Sequence, residues 1–216
     1  MTRVAIFSHV SRERTRKQTI ASLDAVGITP DVITIQQEAG AQWRNRLNAL
    51  HALSQAADGS PVLLLEDDVI AASTVPQWLS FLEGVNITTD LCVTGAHHYP
   101  NPLGRQIMEQ KYPHDSRVVP MPDLKKWWGS QAVWLPAHIV AGILAEESLF
   151  TPTHSPWGPW DHTLRKWHRD HNQPFNVAYP SVFDHLNPRS VVNRSNQRRI
   201  KPARYLPDAQ PPAERN

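Results

Sequence analysis

The chain has 216 residues, of which 40% are hydrophobic, and a formal net charge of +2. This length suits one large α/β domain, and a net charge so near zero does not mark a nucleic-acid binder. The single cysteine, Cys92, excludes an internal disulfide framework and a thiolate-rich zinc site. No apolar run is long enough to span a membrane and the N-terminus lacks a signal-peptide pattern, so we expect a cytoplasmic protein without a membrane span.

The first half of the chain alternates short apolar runs with segments of helical periodicity. Apolar runs bounded by turn residues predict strands, and apolar residues spaced by three or four predict helices. Such alternation is typical of βαβ units and of a parallel, mostly buried sheet. The predicted strands are 3–8, 31–35, 61–65 and 90–96, the predicted helices are 19–26, 41–57 and 73–85, and residues 9–17 form a polar, basic turn.

The pattern changes in the second half. Residues 97–124 show no clear periodicity and contain five prolines, which predicts a long loop of functional or mobile character. Beyond this loop we predict a strand at 132–135, a helix at 136–147, a helix that begins near Trp160, and a last strand at 175–179. No internal repeat or domain boundary is visible, so residues 1–216 are predicted to form a single domain.

The apolar run that begins at Pro61 ends abruptly in three acids, Glu66, Asp67 and Asp68. Adjacent carboxylates repel one another, and burying them costs several kcal/mol unless a cation or a hydrogen-bond donor compensates. In open α/β sheets the carboxyl ends of the strands are where ligands bind. Glu66 and Asp68 point to the same side of an extended backbone, and hard oxygen ligands suit Mg²⁺ or Mn²⁺ carrying a phosphate. The alternative is an exposed acidic turn.

These features resemble the GT-A class of glycosyltransferases. The acids at 66–68 resemble the motif that holds a divalent metal on a nucleotide-sugar diphosphate, with Glu in place of the first Asp. Residues 4–16 resemble the first strand and basic turn that receive the nucleotide. Residues 129–132, Gly-Ser-Gln-Ala, resemble the Gly-Thr-Gln-Ala stretch of lipooligosaccharide-type (family 25) transferases. Residues 179–185 resemble the late Pro-Ser-Leu-x-x-His segment, and these motifs occur in the expected order over residues 3–190.

The resemblance implies a fold and an activity. The fold is α/β and GT-A-like (Rossmann-type), with a mostly parallel sheet flanked by helices and a loop-rich C-terminal acceptor half. The activity is metal-dependent transfer of a sugar from a nucleotide-sugar donor to an acceptor hydroxyl. The expected donor is a UDP-sugar. Residues 1–96 become the nucleotide-sugar-binding half, residues 97–190 the acceptor and catalytic half, and residues 191–216 a basic, partly flexible tail.

The same resemblance implies roles for individual residues. Asp68 and His185 are the expected ligands of Mn²⁺ or Mg²⁺, and the imidazole favours Mn²⁺. Asp161, at the head of a helix, is the expected base that activates the acceptor, so the transfer inverts the anomeric centre. The expected donor-binding residues are Ser8, Arg12, Arg16, Glu66 and Asp67, and the expected acceptor-binding residues are Trp128, Gly129, Ser130, Gln131 and Trp160.

Each of these residues also has a structural explanation. Asp161 is a preferred helix N-cap, and His185 suits a hydrogen-bonded position at a strand end. Arg12 and Arg16 fit a solvated helix face, and tryptophans such as Trp160 pack in cores more often than they bind ligands. For the whole chain, the alternatives are a nucleotidyltransferase or phosphohydrolase on the same half-fold, and a non-catalytic nucleotide- or glycan-binding module.

Residues 186–207 contain no acid but six basic residues. One explanation is a solvated tail; the functional one is contact with phosphate groups, with Arg189, Arg194, Arg198 and Lys201 as candidates. This stretch, and Lys125-Lys126 beside Trp127-Trp128, favour DNA with hydroxymethylated pyrimidines as the acceptor, as used by bacteriophage DNA-modifying glycosyltransferases in the host cytoplasm. The competing acceptor, which the family-25 resemblance favours, is a lipopolysaccharide or another surface glycan.

Overall fold

The structure is a computed structural model that describes residues 1–37, 42–55, 59–92, 117–120, 131–150, 160–186, 207–208 and 210–212. The helices are α1 (Glu13–Asp24), α2 (Gln42–Ser54), α3 (Val75–Val85), α4 (Ala137–Ala145) and α5 (Trp160–Asp170). The strands are β1 (Arg3–His9), β2 (Val32–Gln36), β3 (Val62–Glu66), β4 (Val69–Ala71), β5 (Thr88–Asp90), β6 (Arg117–Pro120), β7 (Ala132–Leu135), β8 (Phe175–Tyr179) and β9 (Phe183–His185). Short 3-10 turns cover Val10–Arg12 and Glu147–Phe150.

Seven of the described strands form one sheet in the order β2-β1-β3-β7-β5-β8-β6. β1 pairs in parallel with both β2 and β3, and β5 pairs in parallel with β8. β7 runs antiparallel between β3 and β5, and β6 is an antiparallel edge strand on β8. Five of these seven strands therefore point the same way. The predicted α/β fold with a mostly parallel sheet flanked by helices is confirmed, and it is consistent with a GT-A-like arrangement.

Helices cover both faces of the sheet because its central strands direct apolar side chains alternately to each face. Val4 and Ile6 of β1 point to one face, where they join a buried cluster with residues of α1 and α3. Ala5 and Phe7 point to the other face and join a second cluster with residues of α2, α4 and α5. The described residues thus form three layers, with the sheet in the middle.

A separate two-stranded sheet joins the late part of the chain to the acidic strand end. β4 pairs antiparallel with β9, and the register places Val69 opposite His185. A backbone hydrogen bond of 2.8 Å runs from Leu186 N to Asp68 O. This short ladder brings His185 beside Asp68, although the two residues are far apart in the sequence.

The element boundaries differ from the predicted ones where apolar side chains are sparse. α1 begins at Glu13, earlier than the predicted helix at 19–26. Residues 13–18 are all polar, so no apolar spacing indicated a helix there. β6 lies inside the segment 97–124, for which no regular structure was predicted, because two valines between Arg117 and Pro120 carry no periodic signal. In place of the strand predicted at 90–96, the structure has β5 at Thr88–Asp90. Leu91 and Cys92 follow it outside the strand, and residues 93–96 lie outside the described residues. None of the helices described here is both long enough and apolar enough to cross a membrane.

Candidate functional site

The three acids lie where β3 ends. Glu66 is the last residue of β3, and Asp67 and Asp68 form the turn that leads into β4. Since β1 and β3 are parallel neighbours, the end of β1 and the turn that follows it reach the same edge of the sheet. This connectivity positions the basic residues of the first turn beside the acids.

Asp68 and His185 lie in direct contact. His185 Nε2 is 3.1 Å from Asp68 Oδ2, and the Asp68 and His185 side chains are 0% and 4% exposed. The register of β4 and β9 explains the contact, because His185 pairs with the residue that follows Asp68. The two expected metal ligands are therefore neighbours in the structure, while their role as ligands stays a prediction.

Glu66, Asp68 and His185 form a group of possible metal ligands. One ligand atom from each residue lies within 4.8 Å of the others. Two carboxylates and an imidazole form a donor set that fits a hard divalent cation, and the imidazole favours Mn²⁺ over Mg²⁺. Burial raises the pKa of Glu66, the charge of Asp68 adds to this effect, and Arg46 opposes it. A cation bound here would relieve that repulsion.

Asp67 is tied to the first strand and turn. Ser8 Oγ donates to Asp67 Oδ2 over 2.5 Å, and Arg12 Nε is 3.1 Å from Asp67 Oδ1. Arg16 Nη1 in turn donates to Ser8 Oγ over 2.8 Å. Burial raises the pKa of Asp67, and the opposing effects of Arg12 and Ser8 offset only part of the shift. Ser8, Arg12 and Arg16 thus surround the acids, and their predicted donor contacts remain predictions.

Arg12 bridges two of the acids. Besides its contact with Asp67, its Nη2 donates to Asp68 Oδ2. Its side chain is 9% exposed. Burial lowers the pKa of the Arg12 guanidinium, but the attraction of Asp68 and Asp67 outweighs burial and the net shift is upward. Arg12 is therefore a largely buried positive counter-charge to the acids, and it does not lie on a solvated helix face.

Arg46 is a buried charge that the sequence analysis missed. Its Nη2 lies 2.7 Å from Glu66 Oε1, its side chain is 2% exposed, and its guanidinium lies 4.1 Å from the centre of the Phe7 ring. Burial lowers the pKa of Arg46, and the charges of Glu66 and Asp161 oppose that shift. A sequence signal existed, since Arg46 falls between Trp43 and Leu50 at helical spacing, on the buried face of α2.

Trp160 and Asp161 open α5 on the same face of the sheet as Arg46. Trp160 is 2% exposed, packs 4.9 Å from Phe150 and belongs to the second core cluster. This burial favours a packing role over the predicted contact with an acceptor. Asp161 is half-buried and close enough to Arg46 and Glu66 to act on the charge of both. The candidate base and the acidic strand end therefore belong to one electrostatic cluster.

The other predicted residues are described only in part. The backbone carbonyl of Gln131 accepts a 2.7 Å hydrogen bond from Glu66 N, so Gln131 adjoins the acids. Trp128, Gly129 and Ser130 lie outside the described residues, and so do Arg189, Arg194, Arg198 and Lys201. Beyond that stretch, Ser73 Oγ donates a 2.8 Å hydrogen bond to Pro207 O, which places Pro207 beside the residues that precede α3.

Comparison with known proteins finds similarity among solved structures. No protein-family model matches the chain. No curated protein matches it either. Among solved structures, the crystal structure of a glycosyltransferase involved in the glycosylation of the major capsid of PBCV-1 is similar to this chain, with a TM-score of 0.44 and 11% identity over 88% of this chain and 95% of that one. A similarity at this level assigns neither a family nor an activity.

Proposed function

We propose that the chain is a metal-dependent glycosyltransferase that moves a sugar from a nucleotide-sugar donor, a UDP-sugar, to an acceptor hydroxyl. The observation that carries the proposal is the convergence of Glu66, Asp68 and His185 within 4.8 Å at the end of a central strand. Arg12 and Arg16 on the adjacent turn and helix supply positive charge for a diphosphate. The resemblance of the sequence motifs to GT-A glycosyltransferases supports the same conclusion.

The residues divide the work of transfer between them. Asp68 and His185 would hold the divalent cation, and Glu66 would contact either the cation's water or the donor ribose. When bound, such a cation stabilises the negative charge that grows on the leaving diphosphate. Ser8, Arg12 and Arg16 lie close to this position and would bind the donor.

Asp161 is the candidate base. As the second residue of α5 it lies at a helix N-terminus, where backbone amide groups can orient a carboxylate. Arg46 lies close enough for its positive charge to interact with the Asp161 carboxylate. An ionised carboxylate can accept the proton of an acceptor hydroxyl as this attacks the sugar from the face opposite the diphosphate. That geometry inverts the anomeric centre.

For the acceptor we propose hydroxymethylated pyrimidines in DNA. The support is the composition of residues 186–207, which carry six basic residues and no acid. A surface glycan is the competing acceptor. The two are separated by offering the enzyme and a panel of UDP-sugars either 5-hydroxymethylcytosine or 5-hydroxymethyluracil DNA, or lipooligosaccharide. Labelled oligosaccharide without labelled DNA from any donor would exclude the DNA acceptor.

The activity itself is tested with Asp161→Asn. We expect this change to retain donor binding and to slow transfer by about 10²–10⁴-fold, because the base is lost while the donor site is intact. Asp170→Asn, the same change at the far end of the same helix, is the matched control and should leave transfer unchanged. A non-catalytic binding module predicts no transfer by the wild type, and a phosphohydrolase predicts donor cleavage without transfer to any acceptor.

A further inference from the structure

Arg12 and His185 share one oxygen atom of Asp68. Arg12 Nη2 donates to Asp68 Oδ2, and His185 Nε2 lies 3.1 Å from that same oxygen. Arg12 holds this position with a second contact, 3.1 Å between its Nε and Asp67 Oδ1. The Arg12 guanidinium thus contacts the same Asp68 oxygen as His185. A cation ligated by Asp68 and His185 would place a second positive charge close to this guanidinium.

The charges of the site limit what can bind there together. Three carboxylates, those of Glu66, Asp67 and Asp68, are opposed by the guanidinium groups of Arg12 and Arg46. A divalent cation added to that set would repel Arg12 strongly, because both charges would lie within a few ångströms of Asp68 in a poorly solvated site. A diphosphate bound to the cation offers Arg12 another anionic partner.

We propose that Arg12 and the divalent cation compete for Asp68, and that Arg12 exchanges Asp68 for the donor diphosphate when the cation binds. This inference rests on the proposed metal site and adds a role for one residue within it. Arg12 makes the protein a weak metal binder on its own and a strong one with the donor. The binding of metal and the binding of nucleoside diphosphate are then coupled through a single side chain, and each strengthens the other.

The exchange is compatible with where Arg12 lies. It ends the 3-10 turn Val10–Arg12 and directly precedes α1, so its side chain starts at the N-terminal end of a helix of twelve residues. Arg16, one turn later, donates to Ser8 on the same side of the helix. A diphosphate held between this helix end and the acids is within the reach of a long arginine side chain.

Calorimetric titration with Mn²⁺ alone tests the competition. Arg12→Gln removes the competing charge, so we expect its dissociation constant for Mn²⁺ to fall about tenfold relative to the wild type. Arg12→Lys, which keeps the charge but cannot bridge Asp67 and Asp68, should bind Mn²⁺ more tightly than the wild type by a smaller factor. Arg14→Ala, which removes an exposed charge from the same helix, should leave the constant unchanged.

Titration with UDP in saturating Mn²⁺ tests the second half of the exchange. Arg12→Gln should weaken UDP binding about tenfold, because the diphosphate loses a charged partner. Opposite effects on metal and nucleotide distinguish the exchange from a structural role, which would weaken both. Thermal unfolding checks that each variant is folded, and Arg12→Lys decides the question if Arg12→Gln does not fold.

The outcomes separate this inference from the proposed function. Mn²⁺ binding that is lost in Asp68→Asn but equal or weaker in Arg12→Gln overturns the competition and leaves the metal site in place. Mn²⁺ binding that is absent from the wild type, or indifferent to Asp68→Asn, overturns the metal site and the competition together. If Mn²⁺ binds but UDP does not bind in its presence, the result counts against the proposed donor. The titration with Mn²⁺ still decides whether Arg12 competes with the cation.

Discussion

At the scale of single residues, Arg46 is a large, fully buried charged side chain of the site. Its side chain extends from α2 toward the sheet, with the Phe7 ring against its guanidinium and Glu66 at its tip. An arginine is suited to such a position because its guanidinium stays protonated and its flat face stacks on aromatic rings. The pair with Glu66 compensates two charges that burial would otherwise make costly.

We predict that Arg46→Leu lowers the free energy of unfolding by about 3 kcal/mol, because the Glu66 carboxylate loses the arginine that is paired with it. Adding Glu66→Gln to that variant should restore part of the loss, since the uncompensated carboxylate is then removed. Chemical denaturation of the wild type, both single variants and the double variant gives the coupling energy. Additive costs of the two changes would show that the pair contributes no interaction of its own.

The residue scale also shows how far the sequence predicts the site. Glu66, Asp67 and Asp68 could be found because an apolar strand that ends in three acids has no packing explanation. The contact between Asp68 and His185 was predicted through the motif order, and the β4–β9 pairing that produces it has no local signal. Arg46 was not predicted as a site residue, because an arginine inside an amphipathic helix is normally assigned to the solvent-exposed face.

At the scale of elements, α4 and α5 pack against each other through a glycine. A Cβ atom at Gly142 would lie 2.6 Å from Cζ2 of Trp167, which is closer than van der Waals contact allows. Trp167 is 5% exposed and stacks on His171 at 4.4 Å between ring centres, so it has little freedom to move. Gly142 is therefore required by the close approach of the two helices.

We predict that Gly142→Ala destabilises the protein by about 1–3 kcal/mol, the cost of overpacking a filled core. The intrinsic helix propensity of alanine works in the opposite direction and reduces the net effect. Gly84→Ala in α3 is the matched control, because a Cβ there meets no atom within 4 Å. Thermal unfolding should show a lowered midpoint for the first variant and an equal or raised one for the second.

The elements themselves were predictable where the apolar pattern is dense. β1, β3, β7, β8 and the helices α2 to α5 lie where periodicity predicted them. The antiparallel position of β7 between β3 and β5 was not predicted, because Ala132–Leu135 is apolar on both faces and its sequence carries no direction. Tertiary pairing, which a single sequence does not display, decided the order of the strands.

At the scale of the whole molecule, the protonation of a buried histidine makes the stability of the fold depend on pH. His168 on α5 is 0% exposed, lies 5.1 Å from the Phe175 ring, and burial lowers its pKa to about 4. The ordinary value is 6.5, so between pH 6.5 and 4 the unfolded chain binds a proton that the folded chain does not. His168 therefore contributes stability above pH 6.5 that is lost as the pH falls toward 4.

We predict that the contribution of His168 lowers the free energy of unfolding by about 3 kcal/mol as the pH falls from 7 to 4. The buried carboxyls of Glu66 and Asp67 have raised pKa values and act in the opposite direction, so the effect is measured as a difference. The free energy of unfolding of His168→Leu should fall less on acidification than that of the wild type. Parallel pH profiles for the two proteins would contradict the assignment.

Sugar transfer by this site, as proposed, requires a divalent cation between the acidic strand end and β9. A crystal structure of the protein with Mn²⁺ and UDP, with anomalous differences collected at the manganese edge, tests this most directly. We predict one strong peak within coordination distance of Asp68 and His185, with the UDP diphosphate on its far side and Arg12 in contact with that diphosphate. A peak ligated by other residues, or UDP bound while His185 still contacts Asp68 directly with no manganese between them, would contradict the proposed site.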